Sequence, residues 1–193
     1  MIKKIIIAVV IILAVGAVIL VRFREKGEPE TIKIGVVEPL TGPRADAGEY
    51  VKNALTLAAE EINSDPGKRY KVEFIYEDSK YEPQAAVGAI QKLKDFDRVR
   101  YIIGAQGSSE TLAIAPIAEQ AGIILITPGS QSDEISSAGD YIFRVIHNSS
   151  QEAPFFVPFV ARRMKSDTIH FLALNTDITP SYLKDAQPLF ERG

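Results

Sequence analysis

Two short stretches carry the residue types that could do chemistry: Gly107-Ser108-Ser109 with Thr111, and Thr127-Pro128-Gly129-Ser130 with Gln131. Both follow apolar runs that read as strands, and both are built from small and hydroxyl-bearing residues. A glycine and serines opening a helix expose N–H groups that have no intrahelical partner, and the helix dipole there favours an anion such as a carboxylate. Ser108, Ser109 and Thr111 would add hydroxyl donors, so the pattern suits capture of a small polar molecule. The same serines have a plainer use, because Ser at a helix N-cap satisfies one of the helix's own N–H groups. Bond-breaking chemistry lacks its residues. Glu77-Asp78 have no His, third carboxylate or nucleophile at a recognisable spacing and read as solvated surface groups. His147 and His170 stand apart, without the HExxH spacing of a metal site. No GxGxxG, GxxxxGKS/T or GxSxG occurs, so nucleotide, phosphate-cradle and nucleophile-elbow readings have no support. The residues indicate binding rather than catalysis, with no metal and no cofactor.

Composition agrees. Of 193 residues, 46% are hydrophobic and 24% charged, with a formal net charge of -3, which is ordinary for a globular chain. Lys and Arg are dispersed, whereas a nucleic-acid-binding surface would gather them on one face. The absence of Cys excludes disulfides, thiolate metal sites, a Cys nucleophile and a lipidated N-terminal Cys.

The amino terminus points to a membrane. After Lys3 and Lys4, residues 5–21 contain no charged or polar side chain, and Arg22, Arg24 and Lys26 follow. As a helix this run would reach about 26 Å, the short end of what crosses a hydrocarbon core. Ala14 and Gly16 offer only a weak cleavage signal inside an apolar run that continues to Val21, so an uncleaved signal-anchor is expected over a cleaved signal peptide. Residues 27–30 then read as a linker, and residues 1–30 as a segment separate from the globular part.

From Thr31 onward strands and helices alternate. Ile32, Ile34 and Val36-Val37 predict a first strand; Val51, Leu55, Ala58 and Ile62 predict the stripe of a helix ended at 63–67. A second strand at 72–76, a helix opening at Pro83 with Ala86, Ile90 and Leu93 inward, and a third strand at 101–103 come next. A helix from about 109 to 121, a strand at 123–126 and a strand at 141–145 complete this unit. Helical crossovers between near-continuous apolar strands imply an α/β fold with a parallel sheet covered on both faces. In such sheets ligands bind beyond the carboxyl ends of the strands, where both hydroxyl-bearing stretches fall. After residue 148 the pattern restarts with a helix at 151–164, a strand at 168–174 and a helix at 181–191. One strand cannot bury both its faces, so this unit either joins the first sheet or begins a second lobe.

IKIGVVEPLTGPRADAGEYVKNALTLAAEEIN, then YEDSKYEPQAAVGAIQKL, YIIGAQGSSETLAIAPIAEQAGIILITPGSQSDEIS and YIFRV, run in the order of a known family. The stretch from Ile32 to Val145 resembles the amino-terminal lobe of the type I periplasmic solute-binding proteins of branched-chain amino-acid ABC transporters, the leucine/isoleucine/valine-binding family. The resemblance implies a three-layer α/β lobe over residues 31–148 and the incomplete start of a second lobe over 149–193. It implies closure of the lobes on an amino acid or similar small polar solute outside the cytoplasm, and its delivery to an ABC transporter permease in the membrane. A sensor that passes a ligand signal to a membrane partner is the alternative, and an enzyme on a related fold the next. By resemblance Ser108, Ser109 and Thr111 form one ligand-binding loop. Gly129, Ser130 and Gln131 form the other, with backbone groups of the first two and the side chain of the third facing the ligand. The chain departs from the family pattern at Gln131, where a small hydroxyl residue is usual, at Ala47, where an aromatic is frequent, and at Glu38, where Gly is common.

Overall fold

The computed structural model describes residues 29–164 and 178–191, with the isolated positions 15, 16, 170 and 172. Apart from those positions, the apolar segment 5–21 and the strand expected at 168–174 lie outside the described residues. No helix among the described residues is long and apolar enough to cross a membrane.

Five parallel strands, β1 (Glu30–Glu38), β2 (Tyr70–Asp78), β3 (Tyr101–Gly104), β4 (Ile124–Thr127) and β5 (Ile142–Arg144), form one sheet in the order β2-β1-β3-β4-β5. Helices α1 (Ala45–Ser64), α2 (Pro83–Asp95) and α3 (Ser108–Ala121) supply the first three crossovers. A short 3-10 turn at Asp133–Ser137, which the sequence pattern does not announce, joins β4 to β5. The order reverses between β1 and β3. Chain leaving β1 turns toward β2 and chain leaving β3 turns toward β4, so their exits diverge and leave a crevice at the carboxyl ends.

Helices cover both faces of the sheet, as expected, but unequally. Side chains alternate along a strand. One face presents Val37, Ile102, Leu125 and Ile142 to α2 and α3, where Ala86, Ile90, Leu93, Ile114, Ala115 and Ala118 close a fully buried core. Across the other face runs the register row Val36, Ile103, Ile126 and Phe143. Val36 is 1% exposed, but Ile103 and Ile126 are only half-buried and Phe143 is 49% exposed. The strand order explains this. Only the β1-to-β2 connection travels in one direction, and right-handed crossovers then put α1 alone on that face and both α2 and α3 on the other. The α1 stripe of Val51, Leu55, Ala58 and Ile62 is half-buried as a result. At the sheet edge Asn63 of α1 replaces a missing strand. Its side-chain amide donates to the Val72 carbonyl at 2.9 Å and its oxygen accepts from the Val72 N–H at 2.8 Å, which occupies backbone groups of β2 that would otherwise be open.

Helices α4 (Ser149–Met164) and α5 (Ile178–Glu191) pack on each other around Ala153, Val157 and Ala186, a small core separate from that of the sheet. Pro154 and Pro158 do not break α4. Asp133 links the two parts: its N–H donates to Ser181 Oγ at 3.3 Å, and its carboxylate accepts from Ser150 Oγ at 2.9 Å.

Helix α1 reaches the β1 exit by a close approach at Gly48. A Cβ there would lie 2.1 Å from the Pro39 carbonyl oxygen, whereas one at the exposed Gly88 of α2 would meet nothing within 4 Å. Gly48→Ala is therefore expected to lower the thermal midpoint, because backbone must move to admit the methyl. Gly88→Ala is expected to raise stability by about 0.5–1 kcal/mol through helix propensity alone. Thermal unfolding of both variants is the check, and equal effects would contradict the close approach.

Candidate functional site

The strand exits at the reversal point are fastened by two acceptors. At β1 and β2 the acceptor is Asp78. Its Oδ1 accepts from the N–H groups of Leu40 at 2.9 Å, Thr41 at 3.2 Å and Lys80 at 2.9 Å, and Oδ2 accepts from the Thr41 hydroxyl at 2.5 Å. Burial acts to raise this carboxyl's pKa, but the Thr41 hydroxyl and the three N–H groups outweigh it and hold the pKa below the ordinary value. Asp78 is thus a loop fastener rather than the solvated group expected from sequence, while its neighbour Glu77 pairs with Lys92.

At β3 and β4 the acceptor is the carbonyl of Ala105. Thr127 Oγ1 donates to it at 2.7 Å and Ser130 Oγ at 3.1 Å, and Thr111 Oγ1 lies 3.3 Å away. Thr111 Oγ1 lies 2.7 Å from Ser130 Oγ and 3.3 Å from the Ala105 nitrogen. Thr111 Oγ1 accepts from the Ala105 N–H, and either hydroxyl of the Thr111–Ser130 pair can donate to the other. Ser130 N in turn donates to Thr127 Oγ1 at 3.2 Å, and Ser132 N donates to Ser108 Oγ at 3.2 Å. All of these hydroxyls are buried, with Thr111, Thr127 and Ser130 at 0% exposure and Ser108 at 2%. They weld the β3 exit, the first turn of α3 and the β4 loop into one unit.

The structure therefore brings Ser108, Ser109, Thr111, Gly129, Ser130 and Gln131 to a single rim but divides them by exposure. Ser109, Gly129 and Gln131 are half-buried and border the crevice; Ser108, Thr111 and Ser130 lie behind them. Gln131 is also engaged laterally, with Nε2 at 3.0 Å from His147 Nε2 and 3.5 Å from Glu152 Oε2. The residue that caps α3 is Gly107, so neither Ser108 nor Ser109 is the N-cap. Glu110 reaches back so that its Oε2 accepts from the Gly107 N–H at 2.8 Å. A Cβ on Gly107 would meet that oxygen at 2.6 Å and the Tyr81 ring at 3.0 Å. Tyr81, with the Arg44 guanidinium 5.7 Å from its ring centroid, lies over the start of α3.

Sequence reasoning missed Ala105 and Tyr81. The role of Ala105 belongs to a carbonyl that every residue has, and Tyr81 is placed by a positive φ of 62° in a loop with no sequence signal for it. Thr127 was visible as part of the second stretch, but its inward donor role was not.

Glu38, at the exit of β1, is the electrostatic exception. It is 0% exposed, and neither carboxyl oxygen has a hydrogen-bond partner among the described residues. Burial, reinforced by the charge of Glu110, pushes its pKa up to about 8. Glu110, 1% exposed, is also raised by burial, against the opposing pull of the Ser79 hydroxyl and the Gly107 N–H. No group of three or more His, Cys, Asp or Glu that could hold a metal occurs among the described residues.

Small and hydroxyl residues thus gather at the carboxyl ends of a parallel sheet where its strand order reverses. The sequence model of the periplasmic binding protein family matches residues 31–191. The chain belongs to the periplasmic binding protein family. Among relatives of this periplasmic binding protein, the leucine-, isoleucine-, valine-, threonine-, and alanine-binding protein of Pseudomonas aeruginosa is 34% identical over 145 residues, which are 74% of this chain and 39% of that protein. A leucine binding protein from Thermotoga maritima superposes with a TM-score of 0.75 at 25% identity, over 83% of this chain and 46% of the other. The branched-chain amino acid transporter substrate binding protein of Streptococcus pneumoniae, solved with isoleucine, gives a TM-score of 0.65 at 27% identity, over 70% and 39%. The fold is that of a type I periplasmic binding protein, and this chain spans less than half the length of the relatives it matches.

The division of the rim makes Thr111 and Ser109 a discriminating pair. Thr111→Val should cost about 1–3 kcal/mol of folding stability, because it strands the Ala105 N–H and removes the hydrogen bond with Ser130. Ser109→Ala should stay within about 0.5 kcal/mol. Denaturant unfolding measures both, and equal costs would contradict the inward role of the Thr111 hydroxyl.

Proposed function

We propose that the protein is the extracytoplasmic solute-binding component of an ABC transporter, which takes an amino acid of the branched-chain type, or a similar small polar solute, and presents it to a membrane permease. The observation that carries this reading is the rim at the strand reversal, where a welded hydroxyl layer supports the half-buried Ser109 and Gly129. The relatives named for binding leucine, isoleucine and valine support the solute class. In this reading the solute carboxylate lies at the first turn of α3, whose N–H groups have no intrahelical partners. Ser109 and the Gly129 and Ser130 backbone border it, and the Gln131 side chain closes one side. Ser108, Thr111 and Ser130 act mainly by holding those groups in place.

Residues 31–148 form the first lobe in this proposal and residues 149–193 open the second. The separate core of α4 and α5 supports that boundary. The uncharged run at residues 5–21 supports retention of the protein on the membrane by its amino-terminal segment. Recovery of the protein in a carbonate-washed membrane fraction is expected, and a soluble form that starts after residue 16 would overturn that part.

A single lobe leaves much of a bound solute in water, so affinity should be low, with a Kd on the order of 1 mM or weaker. Titration of the protein with leucine, followed by amide chemical shifts, tests the reading. Shifts are expected at Ser109, Gly129 and Gln131. Shifts confined to other parts of the molecule, or none at tens of millimolar leucine, would contradict it.

A further inference from the structure

Among the described residues, the carboxyl of Glu38 is buried with neither oxygen hydrogen-bonded. It sits at the exit of β1, in register with Asp78 of β2 and one residue beyond the Val37–Gly104 pairing with β3. Its backbone carbonyl accepts from Ser79 N at 3.0 Å, which fixes the chain, yet its side chain is wholly buried with both oxygens unpartnered among the described residues. Among the described residues no cation bonds to either oxygen. Asp78 of β2 faces the Leu40, Thr41 and Lys80 N–H groups instead. The buried residues of α1 are Ala47 and Gly48. The β3 exit brings Gly104 and Ala105, and α3 brings Glu110, a second buried carboxylate. Arg44 is about half-exposed and pairs with Asp46 at 3.8 Å.

We propose that Glu38 is a buried proton-binding site that governs how firmly the exits of β1 and β3 hold to the first turn of α3. With a proton, the group is neutral and the Gly107–Glu110 turn closes over it. Without one, two buried carboxylates oppose each other, and relief comes from opening the turn whose Gly107 N–H holds Glu110. Burial and the Glu110 charge place the titration of the folded protein near pH 8, against an ordinary value of 4.5. A carboxyl whose folded pKa is raised binds its proton more tightly than in the unfolded chain. The stability it allows is therefore complete below about pH 4.5 and is lost as pH rises toward about pH 8. Glu110, raised in the same direction, acts with the same sign. This proton site does not depend on what solute the rim takes.

The test uses the full chain and its Glu38→Gln variant, which keeps the shape of the carboxyl and removes its ionisation. Carbon-detected titration of the Glu38 carboxyl should give a midpoint near pH 8. Amide hydrogen exchange at Gly107 and Thr111, corrected for intrinsic rates, should lose about tenfold or more in protection between about pH 6 and pH 9 in the wild type. In Glu38→Gln it should stay flat. A wild-type midpoint near the ordinary carboxylate value, a flat protection profile in the wild type, or the same loss in Glu38→Gln would each overturn the proposal. Should Glu38→Gln fail to fold, the wild-type titration midpoint decides alone.

Discussion

The carbonyl oxygen of Ala105 is the point on which the rim depends. One backbone acceptor takes hydroxyl donors from Thr127 and Ser130, and Thr111 joins through Ser130 and the Ala105 N–H. The four groups come from the β3 exit, the start of α3 and the β4 loop, which have no continuous backbone pairing to one another. A buried polar group is costly without a partner, so each member of this cluster holds the others in position. Asp78 performs the same task for the exits of β1 and β2 with a carboxylate instead of a carbonyl. The two acceptors stand on either side of the sheet's reversal.

This arrangement gives the hydroxyl-rich sequence of the rim a physical meaning different from direct solute contact. Ser and Thr at these positions satisfy backbone groups that the loops leave unpaired. Glu110 belongs to the same economy of donors, because it takes the Gly107 N–H and leaves the next ones unused. The cost of these choices is concentrated at Glu38, where a carboxyl stands among groups that cannot balance its charge.

Much of the fold was legible from periodicity. Ala86, Ile90 and Leu93 of α2 are buried as their spacing predicts, and every strand expected in the first unit is present within a few residues. The unequal coverage of the sheet was not legible, since alternation of strands and helices does not state the strand order that sends α1 alone to one face. At the site, sequence located the two loops but not the direction of their hydroxyls. Whether Thr111 faces a solute or Ala105 depends on where a distant carbonyl lies, and no local spacing encodes that. Asp78 was misread for a related reason: its acceptors' partners are N–H groups of Leu40 and Thr41, 38 and 37 residues away.

A double-mutant cycle on Thr111 and Ser130 tests the central claim most directly. Folding free energies of Thr111→Val, Ser130→Ala and the double variant give the coupling between the two hydroxyls. A welded rim predicts a coupling of about 1 kcal/mol or more, with the double variant less destabilised than the sum of the singles. Effects that add within about 0.5 kcal/mol would show the two hydroxyls to be independent and would contradict the account.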